Sequence, residues 1–253
     1  MNRPLIAASV FLLLVPAVQA DEEDAVKWIE RMRGKIKRIN KPGEGPFVEV
    51  VLSYTAVRDG DLKQLTAVRN LRSLDLENTK VTGAGLKALK DLQALSLYRA
   101  PVTDAGLKEV KELGNLLTLD LTGTKVTDAG LKHLKALKKL RTLNLSFTTV
   151  GDGGLKELKD LKDLQSLRLN RTKVTDAGLK ELTGLKDLRS LDLMFTKVTA
   201  AGVAELRKSL KRCKVSRLAG IRRSPRSRLL AQLLELLGDL DEVGVDLPQR
   251  RPP

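Results

Sequence analysis

The sequence predicts an α/β solenoid, with a parallel β-sheet along one face and short helices along the other. Three observations carry that prediction. A single template recurs: with the second Leu of each L-x-L pair as anchor, copies sit at Leu52, Leu76, Leu97, Leu121, Leu145, Leu169 and Leu193. The anchors are 24 residues apart, except for one interval of 21 between Leu76 and Leu97, a period that marks stacked repeats. Within each copy the hydrophobic spacing changes from two to three, as it does where a strand gives way to a helix. No single unit can bury its own leucines, and stacking joins them into one continuous core.

The copy from Leu121 to Leu137, LTGTKVTDAGLKHLKAL, shows the logic element by element. Leu116, Leu119 and Leu121 lie before and within a short strand, where alternation sends every second side chain to one face. Thr124 and Val126 follow. Thr127 and Asp128 read as a helix start, a hydroxyl N-cap with a carboxylate in the first turn. Leu131, Leu134 and Leu137 then turn one helical face inward. Gly85, Gly106, Gly130, Gly154, Gly178 and Gly202 recur in the first helical turn, where glycine costs about 1 kcal/mol relative to alanine. Their recurrence predicts that neighbouring turns approach too closely for a Cβ. The copy at Leu97 departs from the template: Ala100 replaces Thr, Pro101 lacks an N–H, and the interval before it is three residues short. A local irregularity is expected there.

This pattern resembles the leucine-rich-repeat family, L-x-x-L-x-L-x-x-N-x-L, over roughly residues 48–216. The resemblance implies a right-handed, curved horseshoe with the parallel sheet on its concave face and the helices on its convex face. The family's Asn position here holds Thr55, Thr79, Thr124, Thr148, Thr172 and Thr196. In the family that Asn bonds to loop backbone, so a thinner threonine version of the same ladder is expected. The T-x-V-T-D-A-G-L variant resembles the repeats of exported bacterial proteins, and also those of F-box-associated proteins, although no F-box is seen in this chain.

At the N-terminus, residues 1–20 read as a secretory signal peptide, with Arg3 before an apolar stretch and Val18-Gln19-Ala20 as a small-residue cleavage site. The mature chain then begins at Asp21, and export to the periplasm, the envelope or the medium is expected. Residues 21–47 read as an N-terminal capping segment. It comprises an amphipathic helix over 24–33 with Gly34 as its C-cap, a strand at 35–39, a Pro/Gly-rich loop at 41–46 and a second strand beginning at Phe47. Residues 48–216 form the repeat domain, about seven repeats closed by a helix and strand at 203–216. Residues 217–253 read as a basic linker, a leucine-rich helix at 226–240 and a frayed tail. From Arg207 to Arg228 there are ten Lys or Arg and no acid. The leucine face leaves three fates open: docking on the last repeat, self-association, or contact with an anionic membrane. The oligomeric state stays open with it.

The residues needed for catalysis are scarce. His133 is the sole histidine and Cys213 the sole cysteine, which excludes a multi-histidine or multi-cysteine metal site and any internal disulfide within one chain. His133 is expected to be an exposed helix residue and Cys213 a small apolar residue of the cap. Asp104, Asp128, Asp152 and Asp176 sit at helix starts and read as capping groups rather than as a cation ladder. The expected protein is therefore not an enzyme and needs no metal or cofactor.

The informative surface is the open face of the sheet, since the helices can cover only one side. Its outward column is Asp75, Ser96, Asp120, Asn144, Arg168 and Asp192. Two residues past each anchor runs a second column: Tyr54, Asn78, Arg99, Gly123, Phe147, Arg171 and Phe195. The chain has only four Phe, two Tyr and one Trp, and three of those seven aromatics fall in this column, with Tyr98 beside it. Aromatics and arginine anchor interfaces. Tyr54, Tyr98, Arg99, Phe147, Arg168, Arg171 and Phe195 are accordingly the candidate partner-binding residues, for a protein or another envelope macromolecule. The other reading is that these side chains fold over the rim onto the preceding loop. Net charge +15 favours acidic partners or anionic surfaces, and a basic adaptor tethered to an anionic membrane or polymer is the alternative function. Export argues against nucleic acid.

Overall fold

The computed structural model describes residues 21–217, Glu44 excepted. The expected signal peptide, the expected basic linker beyond 217 and the expected leucine-rich helix lie outside the described residues. What is described is one sheet of nine strands whose order in space is their order in sequence. The strands are β1 (Lys35–Ile39), β2 (Phe47–Val51), β3 (Leu71–Asp75), β4 (Ala94–Ser96), β5 (Thr118–Asp120), β6 (Thr142–Asn144), β7 (Ser166–Arg168), β8 (Ser190–Asp192) and β9 (Lys214–Ser216). β1 pairs antiparallel with β2, and every later neighbour pairs in parallel. The sequence template and the sheet register agree: Leu95, Leu119, Leu143, Leu167 and Leu191 are direct partners in successive rows. This is the α/β solenoid the repeats predict.

The described α-helices are α1 (residues 21–31), α2 (Asp104–Val110), α3 (Asp128–Leu131), α4 (Asp152–Leu155), α5 (Asp176–Leu179) and α6 (Ala200–Ser209). α3, α4 and α5 are single turns that pass at once into 3-10 turns at Lys132–Ala136, Lys156–Leu158 and Lys180–Leu182. The three-residue leucine spacing has its reason here, because a 3-10 turn stacks residues i and i+3 in line. Leu131, Leu134 and Leu137 are all fully buried, as are Leu143 and Leu145 from the strand side. No described helix is long and apolar enough to cross a membrane.

The N-terminal end is covered by α1. Ile29 is fully buried, and Trp28 and Met32 pack half-buried against the core. Gly34 is not the left-handed residue that ends α1. That residue is Arg33 (φ 60°); its N–H donates to Glu30 O, and the Gly34 N–H donates to Ile29 O, the paired bonds of a Schellman ending. Glycine at 34 leaves room for the core: a Cβ there would lie 2.6 Å from Cδ2 of the buried Leu52, which would have to shift.

The threonines at the family's Asn position are buried or half-buried, but they build no ladder between repeats. Each hydroxyl donates to the carbonyl of its own anchor leucine, from Thr55 to Leu52 through Thr196 to Leu193, at 2.6–2.8 Å. One hydroxyl can close a local turn but has no second donor to reach across.

The side-chain ladder runs instead at the helix starts. Asp104 accepts from the N–H and hydroxyl of Thr127 in the next repeat, at 2.8 and 2.6 Å. Asp152 binds Thr175 in the same way, Asp176 binds Thr199, and Asp59 binds Thr82; Asp128 accepts from the Gly151 N–H. The expectation that these aspartates cap their own helices is therefore corrected: they hold the N-cap of the following one. The recurrent glycine is explained by the same contact. A Cβ at Gly130, Gly178 or Gly202 would overlap the carboxylate of Asp104, Asp152 or Asp176, respectively.

The short interval before Leu97 does not disturb the sheet, since Ser73, Leu74 and Asp75 pair in register with Ala94, Leu95 and Ser96. The missing residues come out of the opposite side, where that repeat has only a 3-10 turn at Leu86–Ala88.

Candidate partner-binding rim

Each repeat leaves the sheet through the same backbone turn. Two residues past the anchor the chain takes a positive φ, at Tyr54 (59°), Asn78 (50°), Arg99 (53°), Gly123 (66°), Phe147 (56°), Arg171 (52°) and Phe195 (58°). The main-chain ladder runs on through this turn: the Tyr54 N–H donates to Glu77 O, Phe147 to Asn170 O and Arg171 to Met194 O, at 2.8–3.0 Å. Glycine and asparagine visit the left-handed region readily, whereas other L-residues pay about 1–2 kcal/mol there. Asn78 and Gly123 fit that preference. Tyr54, Arg99, Phe147, Arg171 and Phe195 do not, and their side chains are held at the rim against it.

The outward strand column supports this turn. Asp75, Asp120, Asn144 and Asp192 each accept, through Oδ1, the N–H two residues on, at 2.8–3.1 Å. Ser53 donates to Asp75 Oδ2, and Asn144 Nδ2 donates to Asp120 Oδ2. These residues pin the loop that presents the next column. Arg168 occupies the same place and is exposed, but a guanidinium has no acceptor with which to do this work.

The seven candidate residues gather into two groups. In the first, the Tyr54 hydroxyl donates to Glu77 Oε1 at 2.6 Å, and the Arg99 guanidinium lies over the Tyr98 ring at 5.5 Å. The bond to Glu77, then desolvation and that carboxylate's charge, push the Tyr54 pKa above its ordinary value. In the second group, Arg171 lies over two rings from adjacent repeats, Phe147 at 5.3 Å and Phe195 at 4.8 Å. Gly123 stands between the groups and carries no side chain. The side chains lean on neighbouring repeats to different degrees: Phe195 and Arg171 are half-buried, while Tyr54 is 69% and Phe147 49% exposed.

Sequence reading did not single out Glu77, Lys173 or Lys197. Lys173 and Lys197 are exposed and sit two residues beyond Arg171 and Phe195. Their recurrence at one repeat position was the available signal. From the outward strand residue to four past the anchor, the second group's repeats carry Arg168, Arg171, Lys173 and Lys197 against one carboxylate, Asp192, with Asp152 and Asp176 following three residues further on. In the N-terminal rows Asp75, Glu77 and Asp120 offset Lys80, Arg99 and Lys125.

Elsewhere the chemistry is quiet. Cys213 is buried, and burial pushes its thiol pKa up, away from the thiolate that reacts. His133 is half-buried rather than exposed; desolvation, with Lys132 and other lysines nearby, lowers its pKa, so the ring is neutral at pH 7. On the helical side Lys87 pairs with Glu109 and Lys135 with Glu157 across repeats, surface pairs that solvent screens.

The family model described as a leucine-rich repeat region matches residues 50–243. Among curated proteins no sequence matches. The chain is similar in structure to internalin C2 of Listeria monocytogenes, with a TM-score of 0.54 and 22% identity over 66% of this chain and 80% of that one. At that identity the likeness is one of fold. It is also similar to a leucine-rich-repeat protein of Leptospira interrogans, with a TM-score of 0.50 and 29% identity, covering 60% of this chain and 38% of that one. This chain thus spans well under half of that protein's length.

Proposed function

Because the chain belongs to the leucine-rich-repeat family, a family of interaction scaffolds, we propose that it acts after export as a non-catalytic scaffold, taking a protein or other envelope macromolecule on the open sheet face and its rim. One observation carries this reading. Aromatic and arginine side chains occupy backbone positions that favour glycine or asparagine, and two of the aromatics remain largely exposed. Backbone strain at Tyr54 and Phe147, whose side chains stay the most exposed aromatics of the column, supports a working surface there. The repeat fold supplies rigidity, and the variable columns supply identity.

The test is capture from native envelope with the mature chain. Phe147→Ser combined with Phe195→Ser should lose the captured partner while the melting curve keeps its cooperative shape. Retention of the same partner by the double variant rejects the rim as the binding surface. N-terminal sequencing of the native protein should return Asp21, and Met1 would reject cleavage and leave an uncleaved membrane anchor in its place. A second reading has its own observation: Arg207, Lys208, Lys211, Arg212 and Lys214 are all exposed at the closing end. An electrostatic adaptor built on them predicts binding to anionic vesicles that is lost in moderate salt and indifferent to the phenylalanines.

A further inference from the structure

We propose that the helical side of the repeats spanning 86–139 carries a binding site for a small ligand with two or more phosphate groups, held by Lys87, Lys90, Lys108 and Lys111. The site is separate from the rim and goes beyond the scaffold reading.

The short repeat gives this site its physical origin. Leu86–Ala88 makes one 3-10 turn, whereas its neighbour α2 runs for seven residues. A cleft of about 250 Å³ opens where these unequal elements meet, lined by Lys87, Lys90, Lys108, Glu109, Lys111 and Glu112. Glu109 is taken by Lys87 at 3.2 Å and Glu112 by Lys111 at 3.6 Å. Lys90 and Lys108 are exposed and hold no ion pair with a described residue. Four ammonium groups thus share one small space with two carboxylates.

The next repeat adds to the excess. The copy after it sets Glu157, Asp160 and Asp163 among Lys156, Lys159 and Lys162. The copy at 131–139 keeps lysine at 132, 135 and 138 but places His133, Ala136 and Lys139 where those acids would stand. All three acids are lost together, in the repeat that adjoins the cleft. Burial, and then the charges of Lys132, Lys111 and Lys108, hold the His133 pKa below its ordinary value. Two of those three lysines line the cleft, so the imidazole senses the cleft's positive field.

The residue types narrow the ligand. The planar fork of arginine matches a carboxylate, whereas the lysine ammonium acts as a point charge, and every cation lining the cleft is a lysine. Several flexible ammonium groups around one space suit a tetrahedral group with charge on several oxygens. Among the described residues no aromatic ring lines the cleft, so nothing there stacks on a base. The volume suits a small group rather than a polymer.

The experiment titrates the full chain with tripolyphosphate by calorimetry at fixed ionic strength, with citrate as the carboxylate control. Vesicles bearing phosphatidylinositol bisphosphate and vesicles of phosphatidylserine are run beside them. Binding of free tripolyphosphate assigns a soluble ligand; retention by the bisphosphate vesicles alone assigns a lipid headgroup, and either supports the site. His133 is the sole histidine, so its proton resonance reports the cleft, and the bound phosphates should raise its pKa toward the ordinary value. Lys90→Gln combined with Lys108→Gln should weaken binding about tenfold or more through loss of two charge-assisted contacts, with an unchanged melting temperature. Lys156→Gln combined with Lys159→Gln, in the balanced repeat, should leave it unaltered. The proposal is overturned if neither phosphate probe binds, if citrate or phosphatidylserine binds as tightly, if the two double variants lose affinity equally, or if the His133 titration does not move.

Discussion

The two ends of each repeat's strand-to-helix connection obey different rules. At the helix start, the same groups recur nearly unchanged: a threonine N-cap, an aspartate reaching forward to the next threonine, and a glycine against that aspartate. At the rim a few residues earlier, the backbone repeats just as faithfully, but the side chains at the positive-φ position differ in every row except for the two arginines and two phenylalanines. Uniformity marks the place where each repeat must fit its neighbour. Variation under a fixed backbone marks a place where packing of one repeat on the next imposes no single identity.

The largest expected effect comes from breaking what both ends share. Leu145 is fully buried, so Leu145→Ala should cost about 2–5 kcal/mol in a urea melt, and an unchanged midpoint would reject the repeat register. Next is the helix-start edge. Gly106→Ala should destabilise by about 1–3 kcal/mol, although alanine is the better helix former by about 1 kcal/mol, because the new Cβ would run into the Thr82 carbonyl. A gain in melting temperature would show that the turns can separate. The rim should behave in the opposite way. Phe147→Asn relieves about 1–2 kcal/mol of left-handed strain and gives up a cation–π contact of about 0.5–1 kcal/mol, so thermal stability should hold or rise slightly while partner capture falls. Marked destabilisation would make Phe147 structural and erase the contrast.

The smallest effect is electrostatic. The Thr199 hydroxyl, and then its N–H, hold the Asp176 carboxyl below its usual pKa. A depressed carboxylate stabilises fully above its unfolded pKa and loses that contribution as pH falls through the folded value. Thr199→Val removes the larger cause, so the Asp176 pKa followed by carboxyl NMR should rise toward the ordinary range. No change would mean that the hydroxyl contributes nothing there.

Much of this was legible in the sequence, and the part that was not has physical reasons. The leucine anchors fixed the strand register because a one-residue slip would turn every leucine outward. The crowding around Gly130 and Gly178 was legible from recurrence alone, but not its cause, since the aspartate that fills the space lies in the preceding repeat. The candidate rim residues were visible as a column of scarce aromatics. Their left-handed backbone was not, because Tyr, Phe and Arg argue against such a turn; Asn78 and Gly123 in the same column were the clue. Nor did spacing reveal that Gly123 divides the column in two, or that Asp75, Asp120, Asn144 and Asp192 brace the turn.

One interruption in the aspartate ladder changes how the array should come apart. Asp59 reaches Thr82 and Gly83, but Gly83 has no side chain with which to reach Thr103, whose helix lacks a side-chain cap. In a linear array, cooperativity passes only from neighbour to neighbour, so one weak junction separates two blocks that can open independently. Amide exchange should then sort the protein into a segment ending near residue 100 and another beginning near it, each with its own protection. The second block contains the Phe147–Arg171–Phe195 stack, so a bound partner would slow exchange there and leave the first block's opening unaltered.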